Sequence, residues 1–465
     1  MRSNYLKLTV ILFAQLLSIM DIFIINVSIP SIQRDIHASN GQMQLIIAAY
    51  LIGFASFLIT GGRLGDLYGR KRLFIVGLIL FMISSITCGF STNSLFLIIS
   101  RFMQGFSAAL MSPQVLSMIQ ILFPEHHERT KAMSWYGITI GIGTILGQFL
   151  GGYFSSLTFI NEAWRLIFFI NIPICLFAVV LGFKLLDESK ITITERFDFL
   201  GVALLAIGLF CFTYALTISE HGSFGIESIV LMVISVILLA YFIKNQKNRI
   251  LKNKPYLIDF KLFTFKNFNI GILAVSFFFI MLDSYFYVLS IFFQEGLKIN
   301  PLDSGEIIVF QGFGFILASV FSAKLILRYG KKVLILGLIL IITVLMLQGY
   351  FFTETPSIPI LYLLLFMHGV GVGSIIPSLA NIALSGIPKD LMGNASGVYI
   401  TLQQTAAIIG IIIVGSLFYY FLGQQPLVSD YQKAFKIALA TNIICLIAVI
   451  VLIVKVPESI LPVKK

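Results

Sequence analysis

The chain has 465 residues, of which 58% are hydrophobic and only 11% charged, with a mean hydropathy of +0.98. A soluble globule needs about 25% charged residues to cover its surface, so this composition excludes one and places the chain in a bilayer. The formal net charge of +11 would suggest nucleic acid to a soluble protein, but here the basic residues fall in short loops between apolar runs, where they set topology; no nucleic-acid partner is expected.

A helix needs roughly 20 apolar residues to cross the hydrocarbon. By that measure the sequence predicts fourteen spans, at 8–30, 43–62, 73–91, 94–122, 132–156, 164–183, 198–218, 225–243, 268–293, 304–327, 332–352, 358–385, 395–421 and 434–455. The first apolar run, Leu6 to Ile32, is too long for a signal-peptide core and lacks a small-residue cleavage site, so it reads as a retained span. The four cysteines, Cys88, Cys175, Cys211 and Cys445, all lie inside apolar runs, where a thiol packs as a small hydrophobe; neither a disulfide nor a metal site is expected.

With both termini inside, all 32 Lys and Arg fall on the cytoplasmic side except Arg34, Arg101, Arg165, Lys298, Lys433 and Lys436. An odd number of spans would scatter this asymmetry. The eleven-mer from Gly62 to Arg72, Gly-Arg-Leu-Gly-Asp-Leu-Tyr-Gly-Arg-Lys-Arg, is a basic turn that fixes the cytoplasmic face. Its glycines Gly62, Gly65 and Gly69 are expected to let helices approach backbone to backbone.

The sequence repeats itself. Ala323 to Lys332 aligns with Gly62 to Lys71 at an offset of 261, and Gly369 to Pro377 echoes the spacing from Gly105 to Pro113 at an offset of 264. Two six-span halves, 1–190 and 267–465, fit around two extra spans and a basic cytoplasmic linker at 191–266. The expected fold is an all-α integral membrane protein.

Among the acids, Asp21 and Asp283 lie deep within spans and Glu306 near an outer edge. A carboxylate at mid-bilayer costs on the order of 3 kcal/mol on insertion scales, so it generally has a function. One withdrawn from water can bind a proton from one side and release it to the other when its exposure switches. Asp283 has Phe279, Phe286 and Tyr287 three or four residues away on its helical face, a setting for a lipophilic cation through charge pairing and cation-π contact. The alternative is a structural acid bonded to a neighbouring helix. Arg101 is the basic residue placed well inside a span, where a guanidinium needs a carboxylate or several carbonyls. Gly369-Val-Gly371-Val-Gly373 and Gly141-Ile-Gly143 lie inside apolar runs with no strand before them, so they read as helix packing and not as nucleotide loops. His368 aligns loosely with Gln104 and reads as packing, a hydrogen bond or a titrating group. His126 and His127 have no other ligands close in sequence and imply no metal.

Taken together, these residues resemble the major facilitator superfamily and, within it, the fourteen-span drug:proton antiporters of the Qac and Emr efflux-pump type. The Gly62–Arg72 eleven-mer looks like the family's signature between spans 2 and 3, and Asp21 with Asn26-Val27-Ser28-Ile29-Pro30 its span 1 motif. Arg101-Phe-Met-Gln104-Gly105 resembles the proton-linked motif, Trp164 to Pro173 opens span 6, and Phe197-Asp198-Phe-Leu-Gly201 opens span 7 as in the fourteen-span branch. Span 5 departs: Gln148 stands where the antiporter signature has proline, so the helix is expected to be straighter. Gly137 and Gly141, and Gly143, Gly147 and Gly151 with Gly152, still offer a flat packing face.

The resemblance implies that spans 1 and 4 adjoin, making Asp21 the partner of Arg101, either as a proton gate or as a pin between two helices. It implies proton coupling through Asp21, Arg101 and Asp283, and substrate contact by Asp283, Phe279, Phe286, Tyr287 and Gln104. It also implies a conformational gate at Gly62, Gly65, Asp66, Gly69 and Arg70, Asp66 facing the start of span 13 near Gly393, Asn394 and Ser396. The expected function is a proton-coupled exporter of amphipathic, cationic compounds in the bacterial inner membrane, active as a monomer without cofactor. A periplasmic adaptor is a further partner in the Emr type. The rivals are export of a metabolite, siderophore, peptide or lipid-like compound, and a membrane enzyme or sensor, for which the sequence offers no clustered catalytic set or soluble domain. No Walker A sequence is present to couple ATP.

Overall fold

Long apolar runs closed by polar caps dictate helices, and in the computed structural model every regular element among the described residues is helical. The structure describes residues 2–157, 159–188, 198–217, 225–252, 254–353, 356–388, 391–423 and 426–456. The α-helices are α1 (Arg2–Asp35), α2 (Asn40–Tyr68), α3 (Arg70–Gly89), α4 (Ser94–Leu122), α5 (His126–Ser156), α6 (Leu166–Phe169), α7 (Asn171–Leu185), α8 (Phe199–Thr217), α9 (Ile226–Leu251), α10 (Lys266–Ile291), α11 (Pro301–Tyr329), α12 (Lys332–Phe351), α13 (Ile358–Leu384), α14 (Met392–Leu422) and α15 (Val428–Val454). Among the described residues thirteen segments are long and apolar enough to cross a membrane, and a shorter apolar helix, Phe199–Phe212, lies within α8.

Sequence chemistry sets the helix ends. Ser39 and Gln42 cap α2 reciprocally, the Gln42 amide N–H donating to Ser39 Oγ at 3.2 Å and the Ser39 amide N–H to Gln42 Oε1 at 2.9 Å, which satisfies two otherwise orphaned donors. Asn93 accepts from the Phe96 amide at 2.9 Å to start α4, and Asn300 accepts from the Asp303 amide ahead of Pro301 to start α11. Span 6 begins with a 3-10 turn over Ala163–Arg165 and runs on through α6 and α7, Ile170 between them keeping helical dihedrals and a 3.0 Å bond to the Leu166 carbonyl. Arg165 explains why the segment holds there. Its Nη1 donates to the carbonyls of Gly89 at 2.8 Å and Ser91 at 2.5 Å, filling acceptors that the end of α3 leaves orphaned.

One compact unit takes most of residues 1–259 and another residues 260–465. In the first, α2 packs on α4, α4 on α3, and α8 against both α9 and α2. Only 17% of the apolar window of α9 is buried, against 83% for α2, so α9 is left to face lipid. In the second unit α11 packs on α13, and α10 on α14 and α15.

The glycines divide the packing differently from the sequence-based expectation. Backbone-to-backbone approach occurs at Gly53, Gly61 and Gly105, where an added Cβ would lie 2.3 Å from the Phe102 carbonyl oxygen, 2.0 Å from that of Ala109 and 1.9 Å from that of Tyr50. Within the eleven-mer, Gly62 would meet Pro113 at an ordinary 3.7 Å, Gly65 abuts the Gln114 side chain, and Gly69 has φ +101° with the Glu188 carboxylate beside it. On α5, which runs unbroken past Gln148, the face against α1 comprises Gly143, Gly147 and Gly151, opposite Ile19, Met20 and Ile24. Gly137 has nothing within 4 Å and does not belong to it. Gly141 and Gly152 are buried.

The second unit repeats the first unit's closest contact. Gly369 would meet the Gln311 carbonyl oxygen at 1.9 Å and Gly314 that of Phe366 at 2.1 Å. These four positions follow Gly105, Tyr50, Gly53 and Phe102 at the offsets of 264 and 261 read from the sequence. Phe197 and the side chains of Asp66, His126, His127, Lys324 and Leu327 lie outside the described residues.

Candidate functional site

At the centre of the first unit α1, α3, α4 and α7 each contribute a polar side chain to a shared buried cluster. Asp21 is 0% exposed and Arg101 1%. The Arg101 guanidinium Nη1 donates to Asp21 Oδ2 and also to Gln104 Oε1 at 2.7 Å. Gln104 Nε2 in turn donates to Asp21 Oδ1 at 2.8 Å and Ser85 Oγ at 2.9 Å. Asn171 Nδ2 adds a further donor to Asp21 Oδ1 at 3.0 Å. The carboxylate therefore accepts from three side chains, as a buried anion requires.

Aromatic faces complete the guanidinium's surroundings. Its carbon lies 4.5 Å from the Tyr50 ring centroid and 5.9 Å from that of Phe168, within cation-π range. The Tyr50 hydroxyl donates to the Ser18 carbonyl at 3.3 Å. Arg101 Nε has no hydrogen-bond partner among the described residues, so the guanidinium is held through one edge. Phe168 and Asn171, three residues apart on span 6, share a helical face, and both reach the cluster.

The cluster brings together Asp21, Arg101 and Gln104, all singled out from the sequence. Ser85 and Tyr50 are additions, and Phe168 and Asn171 had appeared only as part of the span 6 motif. A polar side chain on each of four apolar helices was the available signal, but neutral residues are too common in such helices to single these out. Asp283 lies in the other unit, on α10. It is partly buried, and its Oδ2 has no hydrogen-bond partner among the described residues. On the same helix Phe279, Phe286 and Tyr287 are buried, and the Tyr287 and Tyr419 hydroxyls stand 3.5 Å apart.

The two residues after Leu186 form a second charged arrangement at the ends of α1, α3 and α7. Glu188 accepts from the amides of Lys71 at 3.1 Å and Arg72 at 3.2 Å, placing an anion at the positive end of the α3 dipole. Arg72 Nε lies 3.6 Å from the same carboxylate, and Lys71 Nζ donates to the Phe183 carbonyl at 3.0 Å. Asp187 pairs with Lys7, whose hydrogen bond and charge hold the Asp187 carboxyl below the usual carboxylate range. Arg70 Nη1 reaches the Ser117 carbonyl at 3.4 Å. Among the described residues no group of three or more His, Cys, Asp or Glu is arranged to hold a metal ion.

Comparison with known proteins gives one family. Residues 11–411 and 272–464 match the Major Facilitator Superfamily. The chain is 31% identical over 435 residues to the probable actinorhodin transporter of Streptomyces coelicolor, covering 92% of this chain and 74% of the relative. It is 27% identical over 408 residues to multidrug resistance protein Stp of Mycobacterium tuberculosis, covering 86% and 73%. Among solved structures the D-xylose-proton symporter superposes with a TM-score of 0.69 at 16% identity, over 98% of each chain.

Proposed function

This chain belongs to the Major Facilitator Superfamily, and from that premise we propose that it is a proton-coupled exporter of amphipathic, cationic compounds of the fourteen-span drug:proton antiporter type. It works by alternating access in the bacterial inner membrane, with both termini cytoplasmic. The observation that carries the coupling is the wholly buried Asp21–Arg101 pair, whose acid accepts from three donors and whose base is held along one edge. A proton arriving at Asp21 cancels the charge that Arg101 faces. The guanidinium then relies on Gln104 and on the Tyr50 and Phe168 faces, which shifts the balance between helix arrangements that differ in this pair. Asp283, with an unpartnered carboxylate oxygen on an aromatic-rich helix, supplies the counter-charge for the substrate.

The transporter and resistance names of the relatives support this reading, and the basic residues around Gly62 to Arg72 support the orientation. A second reading, export of a single cellular metabolite, is favoured by the relative named for actinorhodin. One experiment tests both. Everted vesicles energised by a pH gradient are screened with lipophilic cations and with neutral metabolites, and dissipation of the gradient by cations supports drug:proton exchange. Dissipation by one metabolite class alone supports the second reading. If no compound dissipates it, proton coupling falls.

A further inference from the structure

In the second unit the place that corresponds to the charged cluster is built without charge. Ser284 Oγ donates to Asn442 Oδ1 at 3.0 Å, and the Tyr285 hydroxyl and Gln348 exchange hydrogen bonds at 2.8 and 3.0 Å. These contacts join α10 to α15 and α12, as Asp21 joins α1 to α7 and, through Gln104 and Ser85, to α3. At the offset of 264 that relates α4 to α13, Gln104 corresponds to His368 and Arg101 to Leu365. Loss of the arginine removes the ion pair, but the polar groups around it remain.

Two further buried polar residues of this unit have unpartnered atoms. His368 is 0% exposed, stacks on Tyr285 with ring centroids 4.3 Å apart and 19° between planes, and neither ring nitrogen has a hydrogen-bond partner among the described residues. Gln311 is 3% exposed, its backbone lies against Gly369, the residue after His368, and its Oε1 is likewise unpartnered. Leaving a buried donor or acceptor unmade costs about 1–3 kcal/mol each, and native chains rarely accept that without use. In the first unit the same positions are satisfied internally: Gln104 bonds Asp21, Arg101 and Ser85, and the Tyr50 hydroxyl bonds the Ser18 carbonyl. The difference points to a ligand in the second.

We propose that His368 and Gln311 form a recognition subsite for a neutral hydroxyl or amide group on the transported compound, with Tyr285 as the ring against which His368 is held. A neutral imidazole offers one donor and one acceptor, and Gln311 Oε1 adds an acceptor, so a hydroxyl can both give and receive. The subsite sits apart from Asp283, two residues from Tyr285 and so on the other side of α10. This inference rests on the exporter reading and deepens it.

The test uses the full chain in nanodiscs and two probes that differ by one hydroxyl, tetraphenylphosphonium and (4-hydroxyphenyl)triphenylphosphonium. The wild type should bind the hydroxylated cation about five- to ten-fold more tightly, the order expected of one neutral hydrogen bond. His368→Leu should erase that ratio while leaving tetraphenylphosphonium affinity within about two-fold, and His368→Asn, which keeps a donor and an acceptor, should retain most of it. Asp283→Asn should leave the ratio intact. Equal affinities in the wild type, or a ratio that survives His368→Leu, overturn the subsite. A preserved ratio with no response to Asp283→Asn leaves the subsite standing and removes the charge reading, whereas absence of binding by either probe removes both.

Discussion

Arg101 and Asp21, eighty residues apart in sequence, meet where neither reaches the surface. Removing one side of such a pair leaves the other as an uncompensated buried charge, a change that typically costs about 3–5 kcal/mol. Arg101→Ala alone should therefore lower folded yield and melting temperature more than the double variant with Asp21→Asn, and Asp21→Asn alone should uncouple export from the pH gradient. The double-mutant cycle, run by thermal unfolding and by proton-driven transport at several pH values, checks this. Strict additivity at every pH would show that the two act independently and would remove the gate.

Gly105 and Gly62 sit on the same packed pair of helices and should respond oppositely to the same change. At Gly105 a Cβ would lie 1.9 Å from a backbone oxygen, so Gly105→Ala forces the helices apart at a cost of about 1–3 kcal/mol. Gly62→Ala meets only ordinary contact at 3.7 Å and should be nearly neutral. Melting temperatures of the two variants in one detergent decide it, and equal losses would contradict the contact geometry.

Glu188 caps α3 through two amides. Glu188→Ala should destabilise the protein by about 0.5–2 kcal/mol, the usual worth of an N-cap. Gly69→Ala should do so too, because its φ of +101° belongs to glycine and the added Cβ would lie 2.5 Å from the Glu188 carboxylate. Hydrogen exchange at the amides of Lys71 and Arg72 reads the cap directly, and unchanged protection in Glu188→Ala would refute it.

The Lys7–Asp187 pair gives a signed pH dependence. The folded carboxyl titrates below the usual carboxylate range, held there by the Lys7 hydrogen bond and charge, so its stabilising contribution is full above the unfolded value and is lost as pH falls through the folded one. Asp187 is 84% exposed, and screening keeps such a contribution small. Asp187→Asn should therefore change stability little at high salt and flatten the loss of stability below about pH 4. Unfolding curves across pH at two salt concentrations measure it; an acid limb identical to the wild type would count against the pair.

Asp283→Asn conserves volume and removes the charge on α10. Transport of divalent and monovalent cations should be abolished or narrowed while insertion is unchanged, measured as uptake into everted vesicles against the amount of protein in the membrane. Wild-type rates would make Asp283 structural.

The extent of the helices was legible because hydropathy and length are one-dimensional: the expected 94–122 is α4 to the residue. The pair Asp21 and Arg101 was legible because an embedded guanidinium needs a carboxylate and the family resemblance put span 1 beside span 4. Asn171, Ser85 and Tyr50 were not, since a neutral polar residue costs little in a helix and so announces nothing. The glycines misled in the eleven-mer because residue type says that a close approach is permitted, and only the partner helix says where it happens.

The glycine-to-carbonyl contacts that recur in the two units have a mechanical consequence. A Cα seated against a carbonyl of the neighbouring helix at Gly53 and Gly105, and again at Gly314 and Gly369, is a notch: sliding either helix by one residue would drive a side chain into backbone. Each pair, α2 with α4 and α11 with α13, therefore behaves as a keyed beam that can tilt or turn as a whole but cannot shear along its own seam.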